Sequence, residues 1–452
     1  MGLSYKIFVM NLYDTIIVGG GIAGLYSAWL LPKDHKFAIL EKYDVMGGRI
    51  QTYKDKHMLV EKGAGRFIET NKLLLDLIHD LQLSDRIVKI SSDSYFYPSN
   101  GTGVAADSDN LINLLINPIT TILEMLYIET HNPIAHLIAR VIIYSKTMTT
   151  EELIKTTFIN VARKTLSVDE VQLIIDAFGF YTELVSMNAY DCILLMEGGL
   201  NPRNQFFVMR GGLSQIIDAL VKRMKPHIFT GSEVVSISYE KNHFVIHTEK
   251  KVFRSLNCIC AIPKQNLMSL KIFKPLHNLT KYIECHPLCR IYSKFDMSDK
   301  RNDWIRNLPK LTTNNNLRMI IPIDSKTGVI MISYSDNKFA DFWKSLEVKS
   351  GIRGVNAEIA RLVRASIGVD IPPPISTKVF HWECGVGYWG VGAHSADIES
   401  AILRPFPKMS LYICGEHYSA LNQQWIEGAL ETSEKVVKMM LSHSDSASAS
   451  AL

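Results

Sequence analysis

The sequence predicts an α/β protein in which a Rossmann-type nucleotide domain is interleaved with a second, α+β domain. A strand–glycine turn–helix–strand pattern occupies residues 14–42. A second strand that ends in glycine, LYICG at 411–415, lies close to the other end of the chain. Helical and β-rich stretches lie between these two segments. This arrangement indicates that distant segments assemble the nucleotide domain around an inserted domain.

The opening pattern is a βαβ unit. Residues 14–18 (DTIIV) and 37–41 (FAILE) are predicted to be buried parallel strands joined by a helix. Gly19, Gly21 and Gly24 follow the first strand at GxGxxG spacing, and Glu41 ends the second strand. Such a turn gathers backbone N–H groups for a pyrophosphate, and an acid at that position binds ribose hydroxyls. The pattern predicts dinucleotide binding and does not by itself separate FAD from NAD.

The remaining segments divide into helical and β-rich zones. Spacing of apolar residues predicts helices over 71–84, over much of 108–178, near 350–367 and over 426–441. Short β-rich runs occupy 229–262 and 288–334, and a Gly- and Trp-rich stretch at 381–392 is predicted to be a loop. The tail 442–452 is small, polar and low in complexity, so it is predicted to be disordered.

Composition excludes several classes of function. The chain has 452 residues, 47% of them hydrophobic, and a formal charge of +4, which gives no basis for nucleic-acid binding. No segment is long and apolar enough to span a membrane, and the first ten residues lack a signal peptide's apolar core. We therefore expect a cytoplasmic protein.

The cysteines are expected to be buried free thiols. Their number, seven, is odd, and most lie inside apolar runs. The pairs Cys258/Cys260 and Cys285/Cys289 do not have the spacing of a zinc site, so no metal is predicted.

Three further motifs identify the nucleotide. They are VMGGRIQT (45–52), VEKGAGRF (60–67) and LYICGEHYSALNQQWIEGALETSEKVV (411–437). Together with the opening loop they resemble the flavin-dependent amine oxidase family, which includes monoamine, polyamine and L-amino-acid oxidases. The resemblance covers most of the chain, including FVMRGGLSQIIDAL at 207–220. It implies FAD rather than NAD, bound in a glutathione-reductase-like Rossmann domain.

The predicted domains are discontinuous. We expect the FAD-binding domain to comprise 11–75, 201–270 and 400–441, and the substrate-binding domain to comprise 76–200 and 271–399, followed by the tail at 442–452.

The resemblance also implies which residues hold the cofactor. Glu41 would bind the adenosine ribose, Arg49 would lie by the pyrophosphate and flavin, and Glu416 would bind the ribityl or pyrophosphate end. The glycines around Ala64 would let the chain pass close to the isoalloxazine ring. The predicted cofactor residues are Gly19, Gly21, Gly24, Glu41, Gly48, Arg49, Gly63, Ala64, Gly65, Arg66, Val234, Gly415, Glu416 and Trp425. Glu61 and Glu427 are left out as surface or helix-end charges.

Two aromatic residues are expected to align a neutral amine. Trp425 stands where relatives often carry a tyrosine, and Tyr388 resembles the second wall, with Trp389 as an equal alternative. Monoamine oxidases attach flavin through a cysteine just before that tyrosine. Here Gly387 occupies the position, and Cys384 lies three residues earlier, so FAD is predicted to be non-covalent.

One position departs from the family pattern. Relatives usually carry a lysine, bonded through water to flavin N5, on a strand that corresponds to LCRIYSKF (288–295). Arg290 matches this position best, and Lys294 is the alternative if the register shifts. Arginine effectively cannot lose its proton, so this substitution weakens the inference that oxygen is the electron acceptor.

Arg66 bears on the substrate. GAGRF is similar to the GAMRF form of L-amino-acid oxidases and tryptophan monooxygenases, in which the arginine binds the substrate carboxylate. The equal alternative is that Arg66 binds a flavin phosphate or a loop carbonyl. The predicted catalytic set is Arg290, Lys294, Trp425, Tyr388 and Arg66.

The predicted reaction is amine oxidation. Hydride transfer to flavin N5 would give an imine that water hydrolyses, and O2 would be reduced to H2O2. The substrate is an amine, with an L-amino acid as the form that Arg66 favours. The alternatives are a polyamine oxidase, a desaturase or protoporphyrinogen-oxidase-like enzyme, and a flavin-binding scaffold that has lost its activity.

Overall fold

The computed structural model describes residues 12–90, 95–98, 104–105, 133–198 and 204–449. The part of the predicted helical stretch that falls at 108–132 lies outside these ranges. Within them the chain forms two large sheets, two small ones and a set of helices.

The strands, in chain order, are β1 (Leu12–Val18), β2 (Phe37–Leu40), β3 (Thr52–Lys54), β4 (Leu59–Glu61), β5 (Phe67–Ile68), β6 (Ile87–Ile90), β7 (Tyr95–Tyr97), β8 (Val104–Ala105), β9 (Phe206–Met209), β10 (Ile228–Phe229), β11 (Val234–Glu240), β12 (His243–Thr248), β13 (Val252–Cys260), β14 (Ile283–Lys294), β15 (Leu311–Thr313), β16 (Met319–Asp324), β17 (Val329–Asp336), β18 (Ser376–Trp389) and β19 (Leu411–Ile413). The α-helices are α1 (Ile22–Trp29), α2 (Lys72–Asp80), α3 (Pro133–Ser145), α4 (Thr150–Ile154), α5 (Phe158–Ala162), α6 (Val168–Ala177), α7 (Thr182–Val185), α8 (Ala189–Glu197), α9 (Ser214–Met224), α10 (Lys264–Ser269), α11 (His277–Thr280), α12 (Asn337–Ile367), α13 (Ser395–Leu403) and α14 (Ile426–Ala449). Short 3-10 helices occupy Ser84–Arg86, Lys225–His227, Lys271–Leu276, Lys300–Ile305 and Glu416–Tyr418.

The first large sheet joins the two ends of the described chain. Its order is β10-β2-β1-β13-β12-β11, with β19 also paired to β13. β1 is parallel to both β2 and β13, so its apolar residues are covered on both faces, and Ile16 and Ile17 are fully buried. α1 and α14 meet beside this sheet, where the Ser433 hydroxyl donates a hydrogen bond of 3.0 Å to the Ala23 carbonyl.

The second large sheet has the order β18-β14-β17-β16-β15-β7-β8. β14 is central and pairs antiparallel with both β17 and β18. Helix α12 packs its apolar side chains against this sheet, with Trp343 fully buried, and its helical backbone is interrupted at Gly351, where φ is +61°. The sheet therefore has a helical layer behind it.

Helices α3–α8 enclose a separate apolar core that also receives Tyr388. Two of these helices begin with capping boxes: Thr149 pairs with Glu152, and Ser167 pairs with Glu170. The side chain and backbone of each pair satisfy N–H groups that a helix start leaves free. These local signals fix the ends of short helices whose stability comes from packing.

Three expectations are wrong. The stretch predicted to be a loop at 381–392 contains the last nine residues of β18, because pairing with β14 overrides its glycines. The predicted disordered tail is helical as far as Ala449, since serine and alanine can extend a helix that is already packed. The third error concerns the cysteines: Cys285 and Cys384 form a disulfide. Pairing of β14 with β18 brings their Cα atoms to 5.3 Å, a separation that suits such a bond.

The other five cysteines are buried free thiols, as predicted. None of the helices that the structure describes combines the length and the apolar character needed to cross a bilayer.

Candidate active site

A single cavity of about 910 Å³ is lined by residues of both large sheets. One part of its lining is the glycine loop after β1 with Glu41, which are joined by a hydrogen bond, and another part is Tyr388 and Trp425, which pack on the same helical core. We call these the nucleotide end and the reacting end. Of the predicted site residues, Gly24 and Lys294 do not line the cavity.

The glycine loop is shaped by two close approaches and one open position. Gly19 has φ of +109°, and a Cβ there would lie 2.5 Å from the Ala261 carbonyl oxygen. A Cβ on Gly24 would collide with the Gly19 carbonyl oxygen, so this residue lets α1 lie against the strand end. A Cβ on Gly21 would meet no atom within 4 Å and would fill part of the cradle instead. The loop thus leaves room for a group that approaches its backbone.

Glu41 is buried and fixes the loop from the end of β2. Its carboxylate accepts hydrogen bonds from the Gly20 N–H at 2.7 Å and from the Tyr43 N–H at 2.9 Å. It still lines the cavity, as does Val234 at the start of β11. The position suits contact with a ribose.

Glu416 organises the middle of the cavity. Its carboxylate pairs with Arg49 and accepts hydrogen bonds from the Gly387 N–H at 3.2 Å and the Gln424 N–H at 3.2 Å. Burial opposes the charged form, but Arg49, His417 and the Gln424 N–H hold the pKa of Glu416 below its ordinary value. Arg49 also donates to the Gly385 carbonyl at 3.0 Å. These bonds tie the segment after β19 to β18.

His417 is buried beside this pair. Its Nδ1 accepts a hydrogen bond from the Lys264 N–H at 3.3 Å. Burial lowers the pKa of His417 to about 4, although Glu416 acts in the opposite direction. The imidazole is therefore neutral at physiological pH.

Small residues let the chain pass close to the cavity. Gly48, Gly63, Ala64, Gly65 and Gly415 all line the cavity. A Cβ on Gly65 would lie 2.8 Å from Arg290 Nη1, so the glycine makes room for the guanidinium.

Arg290 is buried on β14, 7% exposed. It donates to the Tyr334 hydroxyl at 3.3 Å and to the Glu61 carbonyl at 3.4 Å, and its guanidinium lies 4.6 Å from the centre of the Tyr334 ring. Burial opposes its charge, but contacts with Tyr334 and Tyr292 hold the pKa of Arg290 above its ordinary value. The site thus contains a permanent positive charge.

Lys294 is not at the site. Four residues of strand carry its Cα about 13 Å beyond that of Arg290. Its ammonium donates to the Thr327 carbonyl in the turn between β16 and β17. Between the two alternatives for the lysine position, the geometry favours Arg290.

Arg66 is the second cation at the reacting end. Its guanidinium lies 4.7 Å from the centre of the Phe206 ring, and desolvation together with the charge of Arg290 lowers its pKa. Within the described part of the chain, no carboxylate forms an ion pair with Arg66 or Arg290.

The two aromatic alternatives have different surroundings. Tyr388 lines the cavity, whereas Trp389 is fully buried elsewhere and donates its Nε1–H to the Ser419 carbonyl at 3.0 Å. Trp425 lines the cavity, and its ring centre is 6.4 Å from that of Phe206. Tyr388 and Trp425 are the pair that can contact a ligand.

Sequence reasoning missed Glu183. This residue of α7 is 3% exposed and lines the reacting end. Burial raises the pKa of Glu183 well above its ordinary value, and the charge of Asp336 adds to the shift. No motif marks it, and the surrounding helical region carries other acids, such as Asp176 and Asp191, from which the sequence does not distinguish it. Phe180 and Tyr334 line the same end and were missed for the same reason.

Glu61 and Glu427, which the sequence left out of the site, have structural roles. Glu61 accepts a hydrogen bond from the Leu213 N–H at 2.7 Å, and Glu427 accepts one from the Leu73 N–H at 2.9 Å. Each carboxylate accepts a backbone N–H at the N-terminus of a helix, and neither residue lines the cavity.

The cavity fits a polar ligand. Five buried side-chain atoms on its wall have no hydrogen-bond partner among the described residues: Glu183 Oε2, Arg290 Nε, His381 Nε2, Gln424 Nε2 and Trp425 Nε1. Buried polar atoms normally have partners, so such a group marks a binding site. With the open cradle at Gly21, these residues fit FAD and a polar substrate bound beside it.

Comparisons with known proteins agree with this fit. The family model "Flavin containing amine oxidoreductase" matches residues 22–441. The flavin-dependent L-tryptophan oxidase RebO of Lentzea aerocolonigenes is 21% identical over 93% of this chain and 96% of its own length. A coproporphyrinogen III oxidase of Propionibacterium freudenreichii subsp. freudenreichii is 35% identical over 16% of this chain and 14% of its own length.

Solved structures share the fold. Wild-type putrescine oxidase bound to putrescine superposes with a TM-score of 0.73 at 15% identity, covering 96% of this chain and 99% of that one. The mixed α/β fold is thus that of known flavin amine oxidases. The family match over most of the chain shows that this protein is an FAD-containing oxidoreductase and belongs to the flavin-containing amine oxidoreductase family.

Proposed function

We propose that this protein oxidises an amine that also carries a carboxylate, such as an L-amino acid, to an imine that water then hydrolyses. The supporting observation is the pair of cations at the reacting end, Arg66 and Arg290, with no carboxylate partner among the described residues. Neither guanidinium forms an ion pair with a carboxylate, although the buried Glu61 carboxyl is near enough to Arg290 to interact electrostatically, and a substrate carboxylate would supply a directly bonded partner.

Arg66 is better placed for a substrate than for a flavin phosphate. It lies over the ring of Phe206, a neighbour of Trp425, and close enough to Arg290 for that charge to lower its pKa. A guanidinium presents a planar pair of N–H donors that matches a carboxylate. This location supports the carboxylate alternative over the phosphate alternative.

Tyr388 and Trp425 would hold the amine between their rings, and Arg290 would add a fixed positive charge near the reacting atoms. FAD, when bound, would supply the redox chemistry, as acceptor of a hydride equivalent from the substrate and as the route by which O2 is reduced to H2O2. The protein's own task is to orient the substrate and exclude water.

We propose that the protein is located in the cytoplasm and holds FAD non-covalently. Gly387 offers no thiol at the position where monoamine oxidases are linked, and Cys384, the cysteine of the described chain that lines the cavity, is in a disulfide. Denaturation with trichloroacetic acid should leave the flavin in the supernatant, and flavin that sediments with the protein would contradict this proposal.

An anaerobic screen tests the function. The holoprotein is mixed without oxygen with L-amino acids, simple monoamines and polyamines, and flavin absorbance is followed; air is then admitted and peroxide assayed. We expect bleaching by at least one L-amino acid and peroxide afterwards. Bleaching by simple amines but by no amino acid would overturn the proposed substrate class. No bleaching by any compound would instead favour the scaffold alternative.

Glu183 supports a second candidate, a polyamine oxidase. Its buried carboxyl lines the reacting end and could bind a second ammonium group. Bleaching by polyamines that is lost in Glu183→Gln, with no bleaching by amino acids, would favour this function. A porphyrinogen oxidase or desaturase would need a long apolar pocket, which two guanidinium groups at the reacting end oppose.

A further inference from the structure

The disulfide between Cys285 and Cys384 lies in the wall of the cofactor cavity. Pro287 has no N–H to donate, and the register of β14 and β18 shifts between His286 and Leu288. This irregularity brings the two cysteines together. Both are partly exposed, and Cys384 lines the cavity.

Cys285 and Cys384 differ from the other cysteines in their exposure. All seven cysteines fall within the described residues, and the five free ones are buried. Cys258 and Cys260 have sulfur atoms 3.9 Å apart and remain unbonded. The oxidised pair is thus the one that a small reductant can reach.

His417 faces both sulfur atoms. Its Nε2 is 3.8 Å from the Cys285 sulfur and 3.6 Å from the Cys384 sulfur. Because Nδ1 accepts the Lys264 N–H, the neutral imidazole carries its proton on Nε2, directed at the sulfurs and at Glu416.

Arg49 completes the environment. Its Nη1 lies 3.2 Å from His417 Nε2, and the two N–H groups of Nη1 have acceptors in the Gly385 carbonyl and the Glu416 carboxylate. The Glu416 charge is thereby compensated. A thiolate formed here would meet an N–H donor and a nearby cation, the surroundings that stabilise reactive cysteines. A protonated Nε2 beside a guanidinium does not suit a metal ligand, so we assign these three side chains to thiol chemistry.

We propose that Cys285 and Cys384 form a redox-active site for thiol–disulfide exchange that controls how firmly the cofactor cradle is held. A dithiol attacks one sulfur, the Cys285–Cys384 bond breaks and releases the other cysteine as a thiolate, and a mixed disulfide forms; the second thiol of the reductant then attacks the reductant's own sulfur in the mixed disulfide and displaces the attacked cysteine. The products are two protein thiols and the cyclic disulfide of the reductant.

Reduction would loosen the cradle because of where the bond lies. Gly385, next to Cys384, accepts from Arg49, and Gly387 donates to Glu416. The disulfide holds this segment of β18 against β14. Without it, the segment that positions Arg49 and Glu416 loses a constraint, and a less preorganised site binds its ligand more weakly.

Thiol counting tests the exchange. The holoprotein is equilibrated in dithiothreitol redox buffers of graded potential, quenched in acid, denatured and alkylated, and its mass is measured. We expect a reversible change between five and seven adducts, with the two additional ones on Cys285 and Cys384. A count that stays at five until denaturant is added, or stays at seven in fully oxidised buffer, would overturn the proposal.

Matched variants assign the effect. Cys384→Ser should give six adducts at every potential, whereas Cys289→Ala, which removes a buried thiol of the same strand, should change reversibly between four and six. FAD retention is the second measurement: the dissociation constant should be about threefold to tenfold larger in reduced wild type and in Cys384→Ser than in oxidised wild type. Equal dissociation constants in the two redox states would overturn the link to the cradle. Neither measurement depends on the substrate.

Discussion

The two ends of the cavity are built differently. At the nucleotide end and in the middle of the cavity, Glu41 and Glu416 are buried and each accepts hydrogen bonds from backbone N–H groups. At the reacting end, Glu183, Arg290 and Trp425 keep atoms without partners among the described residues. One end is preorganised for a constant ligand, and the other has polar atoms that a substrate must satisfy. Affinity for the cofactor and selectivity for the substrate therefore reside in different residues.

The middle of the cavity and its reacting end also respond to pH in opposite directions. Burial lowers the pKa of His417 and raises the pKa of Glu183. Acid should weaken the region around Glu416, and alkali should weaken the reacting end.

The largest effects are expected in the glycine loop. Gly21→Val should leave the apoprotein folded, because Gly21 has extended backbone and its Cβ would meet no atom, but the side chain would fill the cradle. We expect the dissociation constant of FAD to rise at least about 1,000-fold, or about 4 kcal/mol. Fluorescence titration of the apoprotein measures it.

Gly24→Val is the matched control. Its Cβ would collide with the Gly19 carbonyl oxygen, so this variant should fail to fold rather than fail to bind. Circular dichroism separates the two outcomes. If Gly21→Val bound FAD as tightly as wild type does, the pyrophosphate would not bind at the glycine loop.

Acid should destabilise the protein through His417. The folded-state pKa of about 4 lies below the ordinary 6.5, so the native state binds fewer protons between these values and stability is lost as the pH falls through them. Protonation of His417 accounts for up to about 3 kcal/mol of the free energy of unfolding that is lost on acidification. Urea unfolding at pH 7 and pH 4 measures the loss, which should be smaller in His417→Gln. Equal losses in both proteins would show that His417 titrates normally.

Arg66→Ala should separate two classes of substrate. We expect kcat/KM for an L-amino acid to fall about tenfold to 100-fold, through KM, with less than about a threefold change for a simple amine. Arg66→Lys keeps the charge but not the planar pair of donors, so it should lie between wild type and Ala. Steady-state kinetics measures kcat/KM for both substrates. Equal losses of kcat/KM for the amino acid and the simple amine would contradict a contact between Arg66 and the substrate carboxylate.

The smallest effect is expected at Glu183. Because burial raises its folded-state pKa above the ordinary 4.5, the native state binds the extra proton and stability is lost as the pH rises above that value. Glu183→Gln should therefore stabilise the apoprotein at pH 8 by about 1 kcal/mol and change little at pH 4. Urea unfolding at the two pH values measures it.

Glu427→Gln provides the comparison for Glu183. Burial also raises the pKa of Glu427, but its carboxylate accepts hydrogen bonds from the Leu73 and Leu74 N–H groups. Its replacement should lower stability at pH 8. If both variants behaved alike, the missing partner of Glu183 would not be the cause.

Local motifs predicted the βαβ structure of the nucleotide end. The spacing of Gly19, Gly21 and Gly24 followed by Glu41 depends on one βαβ unit, and nearby residues determine its geometry. Glu416 could be found because its motif is continuous in the sequence.

The reacting end was harder to predict because it is assembled from separate elements. Glu183 comes from a four-residue helix and Tyr334 from β17, and neither has a local signal. Arg290 and Lys294 could not be separated without the strand register. The disulfide depends on the shift opposite Pro287, which only the pairing of β14 and β18 reveals.

The pairing of β19 with β13 has a consequence for synthesis. β1, β2 and β13 emerge from the ribosome long before residues 411–413, so the nascent sheet has an uncovered edge while most of the chain is being translated. Gly415 and Glu416 follow only then, and α14 later still covers α1. A chain interrupted before β19 should therefore expose this edge to aggregation and be unable to capture its flavin. Cofactor loading is expected to be among the last events of biogenesis.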